Sequence, residues 1–436
     1  MSNEKQAVDS FLRQYRMHYE DMNVSSVVDT FLSEMGRGLA GQESSLAMIP
    51  TFIEADRPIV RGKSVAVLDA GGTHLRRALV SFGADGKPVV QEYNKSPMPG
   101  TQGEVGAQEF FETLGREVAA VLGQSDCIGF CFSYPTEIFP DRDGRLLRFT
   151  KEVQAPEVEG QVIGQNLRSA LKSLGVPGKR RVVILNDTVA TLLTGKASCP
   201  DKDYGGYVGF ILGTGTNICY LESNRAIGKV SGLDPAQSQV INVESGGFDK
   251  APRGEADEAL DKKSQAPGVH LLEKMVSGGY FGPLAYEVVK LALDNGLFSG
   301  PARESLAGLR ELTTIEANAF LHNPADRNSP LSTKLQAGTE ADRERMFFLL
   351  DGLLQRAARL TAANVAAAVV KSGHGQSPLQ PVCLTIDGTT FYAYYRFRFQ
   401  VEKHLEEYLG PRGYHFEIVR VEEAPLIGAA IAGLTN

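Results

Sequence analysis

The sequence predicts an α/β protein built on a duplicated unit, and three stretches carry that prediction. Each is an apolar β-run ending in a turn of Gly and Thr: "VAVLDAGGT" from Val65, "VGFILGTGT" from Val208 and "CLTIDGT" from Cys383. One such turn says little, because Asp and Gly are what turns prefer in any protein. Three of them, each after a strand and widely separated, predict a repeated α/β domain whose glycine turns converge on one ligand. Local hairpins without a ligand are the plainer alternative.

The elements follow in order. Before about Ser64 the chain reads as helix: Val27, Phe31, Met35 and Leu39 recur at three-to-four spacing behind Asn23, a good cap. Val65 to Phe82 reads as a strand hairpin about Gly71, Gly72 and Thr73, and "DGKP" at Asp85 to Pro88 supplies the next turn. Gln108 to Leu122 is helical by pattern, and "CIGFCFS" returns to strand. "RRVVILND" is a strand running into "TVATLLTG", a helix-like stretch stopped by Gly195. "YVGFILGTGTNICYLE" repeats strand–turn–strand, "VCLTIDGTTFY" makes a third version, and "EEAPLIGAAIAGLTN" is a short Ala/Gly-rich helix. No short-period repeat of solenoid type is present.

Composition narrows the class. A chain of 436 residues predicts two or three domains. A net charge of −7 without a local Lys/Arg block argues against a nucleic-acid surface. Small anions stay open, because glycine loops hold phosphate through backbone N–H groups. No apolar run approaches the ~20 residues of a membrane span, and "MSNEKQAVDSFLRQYRMHYE" lacks the apolar region of a signal peptide. The five cysteines form no CxxC pair and no metal-ligand spacing with His, which predicts reduced thiols and a cytoplasmic protein.

Asp69 at the tip of the first strand needs a reason. An acid beside a phosphate turn repels the phosphate unless a divalent cation lies between them. Mg²⁺ prefers oxygen ligands and keeps several waters, so Asp69 suits a water-mediated contact to a Mg-nucleotide. The turn is neither a GxxxxGK[ST] P-loop nor a GxGxxG loop.

In that order the turns resemble the actin-like ATPase superfamily, and the stretches between them resemble its hexokinase family. "SEMGRGLAG" with "SLAMIPTFI" is similar to the family's N-terminal segment, and "DAGGTHLR" to its first phosphate motif. "FSYP" with "GRLLRFTKEV" resembles the sugar signature, "NDTVATL" the catalytic-aspartate segment and "GTGTNICY" the second phosphate motif. "INVESGGF" and "PGVHLLEKMVSGGYFG" resemble the glutamate-bearing segments; "IDGTTF" and the terminal "GAA" resemble the adenosine side. The likeness runs in order from about residue 27 to 433.

The resemblance implies a two-lobed actin-like (RNase H-like) fold with mixed sheets, flanking helices and a cleft between lobes. The small lobe would be 64–185 plus 421–436, the large lobe 1–63 plus 186–420. It implies a cytoplasmic ATP:hexose 6-phosphotransferase, monomer or homodimer, that takes glucose or a related hexose with Mg-ATP and closes on sugar. Asp187 would accept the proton of the sugar's primary hydroxyl; locally it reads equally as a helix N-cap. Lys151, with Thr150, would reach the sugar and offset charge on the phosphoryl group; read alone it is a solvated loop lysine. Ser133, Tyr134, Pro135, Asn186, Asn217, Glu244 and Glu273 would hold the hexose, since carboxylates and amides grip vicinal hydroxyls. Gly71, Gly72, Thr73, Arg76, Gly213, Thr214, Gly215, Asp387, Gly388 and Thr389 would hold the nucleotide, with Asp69 on Mg²⁺.

Four features depart from the family's pattern. His74 stands where the first motif usually has Asn, and Phe149 replaces Trp in a chain with no tryptophan. Ser245 and Gly247 interrupt the usual Glu-Trp-Gly-Ala, and Pro283 replaces the glutamate that ends "YLGE". The alternatives are a catalytically weak sugar sensor on the same fold and an actin- or chaperone-type ATPase, against which "FSYP", "FTK" and "ND" speak.

Overall fold

The computed structural model describes residues 2–55, 57–123, 125–149, 153–198 and 202–436. Two amphipathic helices open it, α1 (Asn3–Gln14) and α2 (Val24–Leu39), and Asn23 caps the second by accepting the Ser26 N–H. Helix does not continue to Ser64 as the periodicity suggests. The chain turns at Gly41 and lays down β1 (Ile49–Pro50), flanked by left-handed Met48 and Phe52, a backbone state that no helix passes through.

The first sheet follows. β2 (Ser64–Ala70) and β3 (His74–Phe82) form the hairpin with Asp69 opposite Arg76, and β4 (Pro88–Pro97) extends it antiparallel. After α3 (Ala107–Leu122), β5 (Cys127–Phe132) pairs parallel to β2. A small flap of β6 (Thr136–Ile138) and β7 (Gly144–Leu146) precedes α4 (Ile163–Ser173), and β8 (Arg181–Leu185) then pairs parallel to β5. The order is β4-β3-β2-β5-β8. Because side chains alternate across a strand, Ala66, Leu68 and Ala70 of β2 face the core with α3 and α4, while Val65 and Val67 face the opposite one. That two-sided burial explains the unbroken apolar run in the sequence.

α5 (Asp187–Ser198) leaves the end of β8 and runs through Gly195, which does not stop it. The second sheet begins with the hairpin β9 (Gly206–Leu212) and β10 (Thr216–Ser223), and β11 (Ser238–Asn242) joins antiparallel. A helical insertion comes next: α6 (Glu255–Lys263), α7 (Leu271–Val276), α8 (Phe281–Asp294), α9 (Gly300–Ala307), α10 (Thr314–His322) and α11 (Pro330–Leu335). α12 (Glu340–Ser372) spans 33 residues from a Thr339/Asp342 capping box and is the central post of the larger core. β12 (Val382–Asp387) then pairs parallel to β9. Its glycine turn does not fold back as a hairpin; Gly388 leads directly into α13 (Thr389–Ala393). After α14 (Phe397–Leu409), β13 (Phe416–Val419) completes the order β1-β11-β10-β9-β12-β13.

The last helix, α15 (Ala424–Thr435), lies between the two sheets. It packs on α5 and on β2, β5 and β8, with Leu426, Ala429, Ala430 and Ile431 buried. A Cβ at Gly428 would overlap the Ala190 carbonyl of α5, so glycine permits the close approach of the two helices. Among the described residues no helix is long and apolar enough to cross a membrane.

Candidate active site

The first turn is built on one ion pair. Arg76 Nη1 donates to Asp69 Oδ2 at 2.6 Å, and the Asp69 side chain is 4% exposed. Burial lifts the Asp69 carboxyl above its usual value, with Asp187 adding to the rise and Arg76 opposing it. The Gly71 N–H donates to the His74 carbonyl (3.1 Å), closing the loop tightly. The Tyr134 hydroxyl donates to the Gly71 carbonyl at 2.6 Å and braces the first turn, while the residue also lines a narrow cavity with Asn186 and Glu244. The Pro135 carbonyl accepts the Leu147 N–H. His74 Nδ1 lies 2.9 Å from Thr73 Oγ1, and partial burial with Lys95 and Arg76 nearby holds the imidazole below its ordinary pKa.

The second turn is held from three sides. The Gly213 N–H closes it onto the Gly215 carbonyl (3.0 Å). The Gly213 carbonyl accepts both the Gly278 N–H (2.8 Å) and Thr390 Oγ1 (2.9 Å), and the Thr214 carbonyl accepts the Gly279 N–H (2.9 Å). Thr314 Oγ1 donates to the Gly278 carbonyl at 2.6 Å, locking that brace to α10. The third turn packs against the second: a Cβ at Gly388, which has φ +119°, would overlap the Leu212 carbonyl. Asp387 Oδ1 accepts the Gly388 N–H (2.7 Å). Burial raises the Asp387 carboxyl, the Asp187 charge raises it further, and Arg420 and Arg76 oppose. A cavity of about 1040 Å³ opens beside these turns, lined among others by Gly213, Thr214, Gly279, Pro283, Thr389 and Ile315. Its size and mixed lining suit a cofactor-sized molecule.

Asp187 stands between the two sides. Asn186, not Asp187, supplies the N-cap: its Oδ1 accepts the Thr188 N–H (2.8 Å) and its carbonyl accepts the Ala190 N–H. Asp187 is the first helical residue, half-buried, with Oδ1 also on the Thr188 N–H. Its charge acts on Asp69, Asp387 and Glu244 alike, which puts it among the site's carboxylates. On the far side, Asn217 Nδ2 donates to Glu244 Oε1 (3.2 Å) and Asn242 Nδ2 to the same oxygen (2.7 Å). Glu244 holds a left-handed backbone at φ +58°. Burial lifts its carboxyl above the usual range, opposed by the two amides. Glu273 Oε2 accepts the Thr216 N–H at 2.9 Å. Ser133 is buried next to Cys131, and Ile49, Thr51, Phe132, Asn186, Asn242 and Glu244 line a narrow cavity between the sheets. Thr150 and Lys151 lie outside the described residues; Phe149, just before them, packs its ring on Tyr134 (5.0 Å) and Phe110 (5.8 Å).

The departures find local reasons. Ser245 is buried and its Oγ accepts from Asn364 Nδ2 of α12 (3.0 Å). A Cβ at Gly247 would crowd the Ser45 carbonyl at 2.9 Å. Pro283 sits in the first turn of α8, where its missing N–H costs nothing. The sequence reading missed Asn242, Thr314, Thr390 and Arg420, whose guanidinium lies 4.5 Å from the Tyr392 ring centroid. Asn242 and Thr390 stood inside quoted segments; Thr314 and Arg420 carry no signal of their own. Among the described residues no three His, Cys, Asp or Glu side chains converge to hold a metal.

Comparison with known proteins fits this geometry. Two family models, both described as hexokinase, match residues 7–197 and 207–435. Hexokinase-5 of Oryza sativa subsp. japonica is 30% identical over 413 residues, covering 88% of this chain and 80% of the relative. Hexokinase-1 of Schizosaccharomyces pombe is 30% identical over 429 residues, covering 93% and 86%. The solved hexokinase of Schistosoma mansoni complexed with glucose shares the fold over the whole of both chains, with a TM-score of 0.79 at 23% identity. The chain therefore belongs to the hexokinase family, whose reaction is the ATP-dependent phosphorylation of a hexose.

Proposed function

We propose that this hexokinase transfers the γ-phosphoryl group of Mg-ATP to the 6-hydroxyl of glucose or a related hexose. The substrates meet between a small lobe of 64–185 plus 421–436 and a large lobe of 1–63 plus 186–420. The observation that carries the reading is the place of Asp187, between the phosphate turns on one side and the Glu244–Asn217–Glu273 group on the other. Phosphoryl transfer passes through a loose transition state and asks mainly for position, charge neutralisation and a proton acceptor. Asp187 is that acceptor. Asn186 and Asp187 share the Thr188 N–H at the start of α5, each through its Oδ1, so Asp187 would take the proton on its other oxygen, Oδ2. Asn217, Glu244 and Glu273, with Ser133 and the lysine and threonine of "FTK", hold the hexose hydroxyls. The N–H groups of Gly72, Thr73, Thr214 and Gly215, which the turns themselves do not use, would face the phosphates, and Arg76 would offset their charge. Mg²⁺ bound to the triphosphate would neutralise charge developing in transfer. The Asp69 oxygen left by Arg76 would meet its water shell.

Closure of the lobes on sugar keeps water from competing as acceptor. The test is Asp187→Ala in a coupled assay of ADP release with glucose, next to calorimetric glucose binding. Turnover is expected to fall by about 10²–10⁴ with glucose affinity kept. Undiminished turnover would overturn the assignment.

A further inference from the structure

We infer that Asn364, a buried amide of α12, is a positioning residue for the hexose site: through Ser245 it fixes the backbone at Glu244 and sets how tightly the sugar is held. The inference rests on the proposed assignment of Glu244 to the hexose. Asn364 is 2% exposed and lies in a stretch of buried apolar residues that includes Leu360, Ala363, Val365 and Ala367. An amide in such a place costs stability unless it is bonded. Its Nδ2 donates to Ser245 Oγ at 3.0 Å, and Ser245 is itself fully buried. The Ser245 N–H donates to Asn217 Oδ1 (3.3 Å), and Asn217 Nδ2 donates to Glu244 Oε1 (3.2 Å). Ser245 therefore ties α12 to the amide that grips the neighbouring carboxylate. Asn242 Nδ2 takes the same oxygen, and among the described residues no donor reaches Oε2, which leaves that atom for a hydroxyl.

Glu244 needs such a hold. Its backbone, at φ +58° and ψ +48°, is in a left-handed state that a glutamate keeps only where its surroundings impose it. The far end of the loop is packed separately, with the Phe248 ring stacked on Phe31 at 3.6 Å. Losing the Asn364 bond thus loosens the acid's end of the loop without unfolding the rest. The departure at Ser245 makes the bond possible, because an indole at that position would offer no acceptor. Two apolar side chains of the same size would fill the space at little cost. The polar pair is explained by what it positions.

Melting temperature and calorimetric glucose Kd, measured side by side, provide the test. Ser245→Ala strands the amide in the core, and the melting temperature should fall. Ser245→Ala combined with Asn364→Leu removes both partners, and the melting temperature should return to the wild-type value or above. Glucose Kd should rise by about 10-fold in both variants alike, the worth of one hydrogen bond in a charged network. The Kd of Mg²⁺–adenylyl imidodiphosphate, a nucleotide that does not react, should stay within about 2-fold, as for an independent site. Glucose affinity that recovers with the melting temperature in the double variant overturns the inference, since the pair then serves stability alone. Glu244→Gln is the control. Weakened glucose binding there, with none in the double variant, removes the role of Asn364 but keeps the sugar assignment. Unchanged glucose affinity in Glu244→Gln removes both.

Discussion

The first and second glycine turns look alike in sequence and differ in how they are held. The Gly71–Thr73 loop is a hairpin tip, supported by the Asp69–Arg76 pair and by one phenol from beneath. The Gly213–Thr216 loop is a knot: strands β9 and β10, the Ser277–Gly279 segment and the β12–α13 turn all meet there through backbone bonds. An added Cβ at Gly71 meets nothing nearer than 3.5 Å, an ordinary contact. At Gly388 it overlaps backbone. One glycine motif can therefore serve two mechanical roles, a free tip shaped by charge and a buried joint shaped by packing.

The largest effect that tests this contrast is expected at Gly388→Ala. Backbone overlap at a left-handed residue should cost about 1–3 kcal/mol or more, read as a drop in Tm. Arg76→Ala comes next. It leaves buried Asp69 unpaired and should cost about 1–3 kcal/mol, below the value for a wholly buried pair because the arginine is partly exposed. Turnover should fall as well. Glu244→Gln is smaller and of opposite sign. Burial first, then Asp187 and Glu273, lift its folded carboxyl above the unfolded value, so the native state binds that proton more tightly. Stability from this group is then fully present below the unfolded pKa and declines as pH rises through the folded one. The glutamine removes that penalty. Melting temperature at neutral pH should rise while glucose affinity falls, and the gain should vanish in acid. Gly71→Ala is expected to do least to stability, within about 1 kcal/mol, and to act on nucleotide affinity alone. A Gly71→Ala melt as damaged as that of Gly388→Ala would erase the distinction between tip and joint.

Much of this was legible because it is local. Strand periodicity located β2, β3, β9, β10 and β12, and Asn23 announced α2. The family likeness pointed to Asp187, Glu244 and Glu273 because their segments are short and ordered. What escaped depends on partners distant in sequence. The bond from the Tyr134 hydroxyl to Gly71, 63 residues earlier, has no signature in the sequence. α12 hides its period, since a helix buried on nearly all sides shows no apolar stripe. Gly195 reads as a stop, yet tertiary packing carries α5 through it. The turn after Asp387 copies the hairpin signature of the first two; its strand partner is missing because β12 pairs parallel, which demands a crossover.

The position of α15 bears on how the molecule is made. During synthesis the first sheet can form early from nearby segments, and α3 and α4 can shield one of its faces at once. Val65, Val67, Ala78 and Val80 on the other face await a helix translated hundreds of codons afterwards. Nascent chains thus carry an exposed sticky surface for most of their time on the ribosome, an invitation to chaperones or to clumping. Removing residues 424–436 should make that condition permanent, seen as loss of soluble protein.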